Sequence, residues 1–378
     1  DDLSACLIQY ADNGGLLPRG ACSGGYSFIM TGCPATNMLV STYMKDLMKK
    51  TKPSHAYEAI KRNHAPGGMM SYESADDLKF YVKKGYCPGN AGKTLEWAFQ
   101  DWGLSRMALR MGKKSDAALY EKRSRAWTPL FNKNIGLILP KKENGEWLHT
   151  DPLNGQGWVE ANAWQATWSV SHDLPKLVEL MGGGDAFCEK LNYAFEQARP
   201  TDFVHAYSGG YVSYANQPGC SNAHLFTYGG QPWLTQYWVR QVKEHAYGGI
   251  TPDKGYGGHD EDEGQMGAVS ALMSLGLFSV TGTEYDSPYY DITSPIFDKI
   301  TIKLNKDYYS GDEFVINVHN NSADNCYIQK AELNGTDWIY AQLDHVDFAK
   351  GGTLNLWLGN MPNKSWGKLK YLGFKTNK

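Results

Sequence analysis

The sequence predicts a mainly α protein: a helical toroid with a pocket at one end, followed by a β-rich C-terminal region. Three observations predict it. Apolar residues recur at helical spacing through most of residues 1–280. Long aromatic loops at 12–33, 131–159, 200–229 and 245–262 set the helices in pairs. After about residue 285, alternating and β-branched runs replace the helical period. No fixed-length repeat is visible, which disfavours a solenoid.

The elements follow in order. Helices are expected near 2–11, 35–50, 54–63, 74–84, 92–111, 115–130, 160–170, 173–181, 185–198, 230–244 and 263–276. Pro53-Ser54 and Ser115-Asp116 are start signals, and Gly182-Gly183-Gly184 separates two helices. Strands are expected at Lys299–Lys303, Glu313–Val318 and Tyr327–Ala331, with turns at Asn334-Gly335 and Gly351-Gly352. The resulting division is a helical domain over 1–284 and a β-rich region over 285–378.

Composition excludes several classes. The formal net charge of −3, with no Lys/Arg cluster, argues against nucleic-acid binding. No apolar run is long enough to span a membrane. The opening residues Asp1-Asp2-Leu3-Ser4 do not read as a signal peptide. The seven cysteines are dispersed without a CxxC pair, which disfavours a zinc ribbon and leaves the redox compartment open. The 12 tryptophans and 24 tyrosines suit either a packed core or a sugar site, since aromatic faces lie well against sugar C–H faces. No nucleophile elbow, phosphate loop, HExxH or dinucleotide fingerprint occurs.

Two carboxylates stand out. Glu160 heads the stretch Glu160-Ala161-Asn162-Ala163-Trp164-Gln165, and a helix starting there would place Trp164 and Trp168 on its stripe. Indoles around a glutamate remove water and raise its pKa, which suits a general acid. The alternative is an ordinary first-turn glutamate. Asp262 lies in Asp260-Glu261-Asp262-Glu263-Gly264-Gln265-Met266, where it can cap the next helix and form a capping box with Gln265. A helix N-terminus keeps a carboxylate ionised, as a general base must be; the same geometry also fits a plain cap. Asp260 is a second candidate on this loop. An EF-hand reading fails, because glycine falls at the fifth position and no glutamate at the twelfth. The loop Tyr214–His224 gathers side-chain carbonyls. It fits a turn with side-chain-to-backbone hydrogen bonds, or a site for a hard cation. His224, before Leu225-Phe226, reads as a packed residue.

These motifs, with Gly230-Gln231-Pro232-Trp233, Ser294-Pro295-Ile296-Phe297-Asp298, Asn320-Asn321-Ser322, Leu333-Asn334-Gly335 and Pro362-Asn363-Lys364-Ser365-Trp366-Gly367, resemble glycoside hydrolase family 92 in the family's order. The resemblance implies a calcium-dependent, inverting exo-α-mannosidase with an (α/α)6 barrel and an N-terminal β-sandwich domain. It implies Glu160 as general acid, Asp262 as general base and Asp260 assisting. Trp164, Gln165, Gln231 and Trp233 are implied substrate contacts, and Asn216 and Gln217 metal contacts. The implied partner is a glycan bearing α-linked mannose, and the implied location is outside the cell. Inversion requires the two carboxyl groups roughly 6.5–9.5 Å apart, so that a water fits between.

The sequence departs from the family in two places. Asn216-Gln217-Pro218-Gly219-Cys220-Ser221 replaces the usual Asn-Glu-Pro-Ser-His-His, which removes a carboxylate and two histidines. Around Gly32–Asn37 the family's acidic and histidine residues are also missing. The barrel's first helix and the β-sandwich are expected to lie outside this sequence, so the segment alone is expected to be inactive or weak. Two alternative readings are a mannose-1-phosphodiester hydrolase and a non-catalytic glycan-binding domain.

Overall fold

The structure is a computed structural model that describes residues 1–22, 25–72, 74–251, 264–282 and 287–371. The chain forms two compact units. The first comprises Asp1–Val159, Val170–His172 and Thr281–Pro288; the second comprises Glu160–Ser169, Asp173–Val280 and Tyr289–Lys378.

The first unit is helical, with α1 (Asp2–Gly14), α2 (Ala35–Met44), α3 (Pro53–Asn63), α4 (Ala75–Lys84), α5 (Ala91–Arg110) and α6 (Lys114–Arg123). Two short hairpins accompany them, β1 (Gly20–Cys22) with β2 (Gly25–Ser27) and β3 (Phe131–Asn132) with β4 (Leu137–Ile138). The helix starts follow local chemistry. Pro53 occupies the first turn of α3, where its missing N–H costs nothing. Ser74 and Asn90 cap α4 and α5 by accepting from Asp77 N and Lys93 N. Two helices are shorter than expected. α2 stops at Met44 rather than near 50, and Asp46 then adopts a left-handed backbone with φ of 59°. α6 stops at Arg123 rather than near 130, and only a 3-10 turn over Thr128–Leu130 follows. Ile8, Leu39, Val40, Tyr57, Ile60, Leu104 and Met107 join α1, α2, α3 and α5 in one apolar core.

A polar network lies beneath it. Asp101 on α5 is fully buried. Its Oδ1 pairs with His64 Nδ1 at 2.8 Å, and its Oδ2 accepts from Tyr81 Oη at 2.9 Å and Arg123 Nε at 2.8 Å. The other side of the His64 ring meets Thr36 Oγ1 at 3.0 Å and Cys33 Sγ at 3.3 Å. Burial disfavours a charge on His64, but Cys33 and Asp101 outweigh it and push its pKa up to about 9.

The second unit holds α7 (Ala163–Ala166), α8 (Leu174–Leu180), α9 (Gly184–Ala198), α10 (Pro232–His245), α11 (Gln265–Leu275) and α12 (His345–Ala349). A 3-10 segment over Asn222–Gly229 precedes α10. The β-rich C-terminal part contains two sheets. The smaller is three-stranded, with β5 (Leu277–Phe278), β6 (Tyr289–Ile292) and β11 (Gln342–Asp344) in the order β11-β6-β5. The larger contains β7 (Lys299–Lys303), β8 (Glu313–His319), β9 (Tyr327–Leu333), β10 (Thr336–Asp337) and β12 (Gly352–Gly359), in the order β10-β9-β12-β8-β7. The expected strands at 299, 313 and 327 are present.

Alternation sends Phe314, Ile316 and Val318 of β8 and Leu354, Leu356 and Leu358 of β12 into one core. On β9 the core residues Ile328 and Ala331 break the period of two. The β9–β12 register shifts between Trp357, opposite Lys330, and Leu358, opposite Ile328. The extra residue, Gln329, forms a bulge that returns Ile328 to the buried face.

One buried carboxyl sits beside this core. Asp291 on β6 accepts from Tyr228 Oη at 3.1 and 3.0 Å, and Tyr228 also meets Tyr289 Oη at 3.0 Å. Burial pushes the Asp291 carboxyl up to about 7, with Tyr228 and Gln342 opposing it. Its folded pKa lies above its unfolded value, so its contribution is full below about pH 4 and is lost as pH rises through about 7. Asp291→Asn is expected to remove this loss. Denaturant melts at pH 4 and pH 7 should show the wild type falling about 3 kcal/mol further than the variant. Parallel behaviour of the two proteins would contradict the assignment.

Candidate active site

The stretch leading to Glu160 is shaped by its backbone. Gly157 has φ of 81°, and a Cβ there would lie 2.7 Å from Pro140 Cβ and 2.9 Å from the Gly89 carbonyl oxygen. Glu160 itself has φ of 50°, a left-handed conformation that side-chain-bearing residues rarely adopt. Strain of this kind costs about 1–3 kcal/mol and concentrates at functional positions.

The structure corrects the expected helix over 160–170. The helix is the single turn Ala163–Ala166, and Glu160 lies outside it. Asn162 is the cap: its backbone is extended and its side chain accepts from Gln165 N at 3.1 Å. Trp164 belongs to that turn, but Trp168 belongs to the following 3-10 segment Thr167–Ser169. The stripe of Glu160, Trp164 and Trp168 on one helix does not form.

Glu160 is half-buried and meets Asn216, which is almost fully buried. Asn216 Nδ2 donates to Glu160 Oε2 at 2.8 Å. Asn216 Oδ1 accepts from Gln217 N at 2.8 Å and caps the 3-10 turn Gln217–Gly219. Gly219 is required there, because a Cβ would come within 1.9 Å of the Ser213 carbonyl oxygen. The oxygen-rich loop thus ends one of its side chains on the first candidate carboxylate.

The same loop reaches α11. Gln265, the first residue of α11, donates from Nε2 to Cys220 Sγ at 3.9 Å. Tyr247 Oη bonds to Tyr214 O at 2.9 Å and to Met266 Sδ at 3.5 Å. Asp260 and Asp262 lie outside the described residues. The N-cap of α11 is Gly264, with φ of 101°, rather than Asp262. The expected capping box of Asp262 with Gln265 lies outside the described residues, and glycine at the N-cap adopts this left-handed entry without a Cβ clash.

The remaining candidates fall in two places. Trp164 is half-buried, with ring centroids 5.6 Å from Tyr193 and 5.2 Å from Tyr211, and Lys190 Nζ lies 5.1 Å from its ring centre. Gln165 is buried and donates from Nε2 to Tyr207 O at 3.2 Å and to Gly209 O. Asn162 Nδ2 donates to Ser208 O at 2.8 Å and Gly210 O at 2.9 Å. These two amides hold the loop 207–210 against the turn that follows Glu160. Gln231, at the head of α10, donates from Nε2 to Asp185 Oδ1 at 3.1 Å. Trp233 carries Lys364 Nζ 5.5 Å from its ring centre.

Sequence reasoning missed the pairing of Asn216 with Glu160, the clamp on 207–210, and the tyrosines beside Trp164. The Ser208-Gly209-Gly210 run was the available signal for a tightly held loop. His224 is buried and stacks on Phe278 at 3.7 Å, as a packed residue should.

A calcium ion takes six to eight oxygen ligands, carboxylates prominent among them. Asn216 and Gln217 offer neutral amides, and the Asn216 oxygen already accepts a backbone N–H. Among the described residues, no group of three or more His, Cys, Asp or Glu side chains is placed to hold a metal. The described part of the loop does not by itself fit the ion. Cys6, Cys33, Cys87, Cys188 and Cys326 are free thiols.

Comparison with known proteins decides the family. The profile of the glycosyl hydrolase family 92 catalytic domain matches residues 1–360. The chain belongs to glycosyl hydrolase family 92. A structure of a family 92 inverting mannosidase from Bacteroides thetaiotaomicron is 30% identical, with a TM-score of 0.83 over 96% of this chain and 50% of that one. A family 92 α-mannosidase from the same organism shares the fold at a TM-score of 0.85, with 24% identity over 100% of this chain and 50% of that one. An uncharacterized secreted glycosidase of Arthroderma benhamiae is 27% identical over 96% of this chain and 49% of its own length. The chain thus spans about half the length of the relatives it matches. Helix-rich architecture with a β-rich C-terminal part is what the family 92 structures share with it. No helix among the described residues is long and apolar enough to cross a membrane.

Proposed function

We propose that this family 92 chain is the major part of the catalytic domain of an inverting exo-α-mannosidase. The observation that carries the reading is the Glu160 carboxyl, set in a strained backbone position and held by Asn216 from a second loop. The family match and the likeness to an inverting mannosidase support the substrate class.

In this reading Glu160 gives its proton to the glycosidic oxygen as the bond to the anomeric carbon breaks. Asp262 takes a proton from a water that attacks the opposite face, with Asp260 assisting. The products are an alcohol and mannose of inverted configuration. Trp164 and its tyrosine neighbours offer aromatic faces to the sugars, and Gln165, Gln231 and Trp233 complete the proposed substrate contacts. The helical part contributes to an (α/α)6 barrel, an N-terminal β-sandwich domain supplies the rest of the pocket, and the protein acts outside the cell. Calcium enters as a dependence to be measured, and no step here is routed through it.

The test uses the full-length polypeptide with isomeric α-mannobioses and a mannosyl phosphodiester, with calcium or a chelator. Proton NMR of the first-formed sugar should show β-mannose from a mannobiose. Sugar binding without turnover of any substrate would favour a glycan-binding domain. Turnover of the phosphodiester alone would favour the phosphodiesterase reading.

A further inference from the structure

We infer that Asn216 is a positioning residue that dictates which oxygen of Glu160 carries the catalytic proton. The inference rests on Glu160 acting as the acid.

The argument begins with the orientation of the Asn216 amide. Its two ends are nearly alike in shape, so neighbours must assign them. The backbone N–H of Gln217 can only donate, and it lies 2.8 Å from the Asn216 oxygen. That contact fixes Oδ1 toward Gln217 and Nδ2 toward Glu160. Asn216 is 2% exposed, so water is poorly placed to take over either bond. The NH2 group is likewise donor only, and it sits 2.8 Å from Glu160 Oε2.

The consequence for the carboxyl is a preference between its two oxygens. The carbonyl-type oxygen of a carboxylic acid accepts a hydrogen bond better than its hydroxyl oxygen, and a proton on Oε2 would weaken the bond from Nδ2. A protonated Glu160 therefore favours its hydrogen on Oε1, with Oε2 the accepting, carbonyl-type oxygen. Oε1 is the atom left to face the leaving-group oxygen. When that proton departs, negative charge grows on the carboxylate and the Nδ2–H bond becomes charge-assisted and stronger. An interaction that strengthens along the reaction lowers the barrier, and it does so most where proton transfer matters most.

The polypeptide supports this geometry from both ends. Glu160 is fixed by its left-handed backbone, with φ of 50°, and Asn216 by the turn it caps. The two residues lie on loops 56 positions apart, so the contact is tertiary.

Asn216→Asp separates the two jobs of this side chain. Aspartate keeps an oxygen for the Gln217 N–H and is as good a cap as asparagine, but it cannot donate to Glu160. Rates would be measured for an α-mannobiose and a series of aryl α-mannosides of rising leaving-group acidity, at fixed calcium, with Glu160→Gln in parallel. Asn216→Asp should lower kcat for the mannobiose about 10- to 100-fold, with dinitrophenyl mannoside within about threefold of wild type and KM nearly constant. Equal loss on every leaving group, or a changed calcium requirement with an unchanged leaving-group slope, would overturn the inference. If the aspartate variant does not fold, Asn216→Gly, which a cap position tolerates and which has no side-chain donor, is read by the same slope. The parallel variant separates the two claims. Loss of the leaving-group pattern in Glu160→Gln would sink the acid assignment itself. That pattern in Glu160→Gln, without it in the Asn216 variants, would sink only the positioning role.

Discussion

Glu160→Gln is expected to cut kcat/KM on an α-mannobiose by about 10²- to 10⁴-fold, the contribution of a placed general acid. Glutamine matches glutamate in shape and can still accept the Asn216 hydrogen bond through its oxygen, so folding and the strained backbone should survive. What it lacks is a proton to give. An alkoxide leaving group needs that proton, whereas a dinitrophenolate does not. The same variant should therefore hydrolyse dinitrophenyl mannoside at a rate close to wild type. Comparable losses on both substrates would remove Glu160 as the acid. Asp262→Asn should behave differently, since activation of the water is needed whatever departs; both substrates should lose activity together.

Asp101→Ala is expected to have the largest effect on stability. The wild-type carboxylate is fully buried and receives His64, Tyr81 and Arg123. Deleting it leaves the Nε–H of Arg123 without its carboxylate, whereas Tyr81 Oη can still donate to Arg123 O at 2.9 Å. Removing one partner of a buried ionic cluster costs about 3–5 kcal/mol, much of it the penalty on the charge that remains. Urea unfolding of the variant should show a loss in that range, and the pKa of His64, which keeps Cys33 but loses Asp101, should fall. A loss under about 1 kcal/mol would mean the cluster is already hydrated. The pH dependence of the wild type follows from the same group. His64 is raised from its ordinary value to about 9, so its contribution is full below about pH 6.5 and is lost as pH rises through about 9.

Much of the scaffold was legible because it is written in local chemistry. Pro53 marked the start of α3 and the Gly182-Gly183-Gly184 run marked the joint between α8 and α9. Alternating or β-branched runs marked β7, β8 and β9. Errors arose where a neighbouring residue competed for the same role. Asn162 caps the turn that Glu160 was expected to open, because its amide oxygen reaches the Gln165 N–H. The N-cap position of α11 is Gly264, whose left-handed backbone the capping-box pattern did not announce. The strand β12 was hidden behind Gly351-Gly352, which read as a turn, although Thr353–Leu358 alternates cleanly. The site was legible as residue types and not as partnerships. Glu160 and the Asn216 loop could each be singled out, but nothing local announces that the amide of one grips the carboxyl of the other.

The strand order of the larger sheet also constrains how the protein can be made. β12 lies between β8 and β9, parallel to one and antiparallel to the other, yet it follows both in the chain. The hairpins β7–β8 and β9–β10 can close as soon as they leave the ribosome. Each then presents a bare edge toward a slot one strand wide, and nothing fills that slot until residues 352–359 emerge. A nascent chain paused before that point carries two sticky edges lined by Phe314, Ile316, Ile328 and Leu333. Release of the last strand is thus the step that seals the sheet. Cover of those edges over that interval should raise the yield of soluble protein.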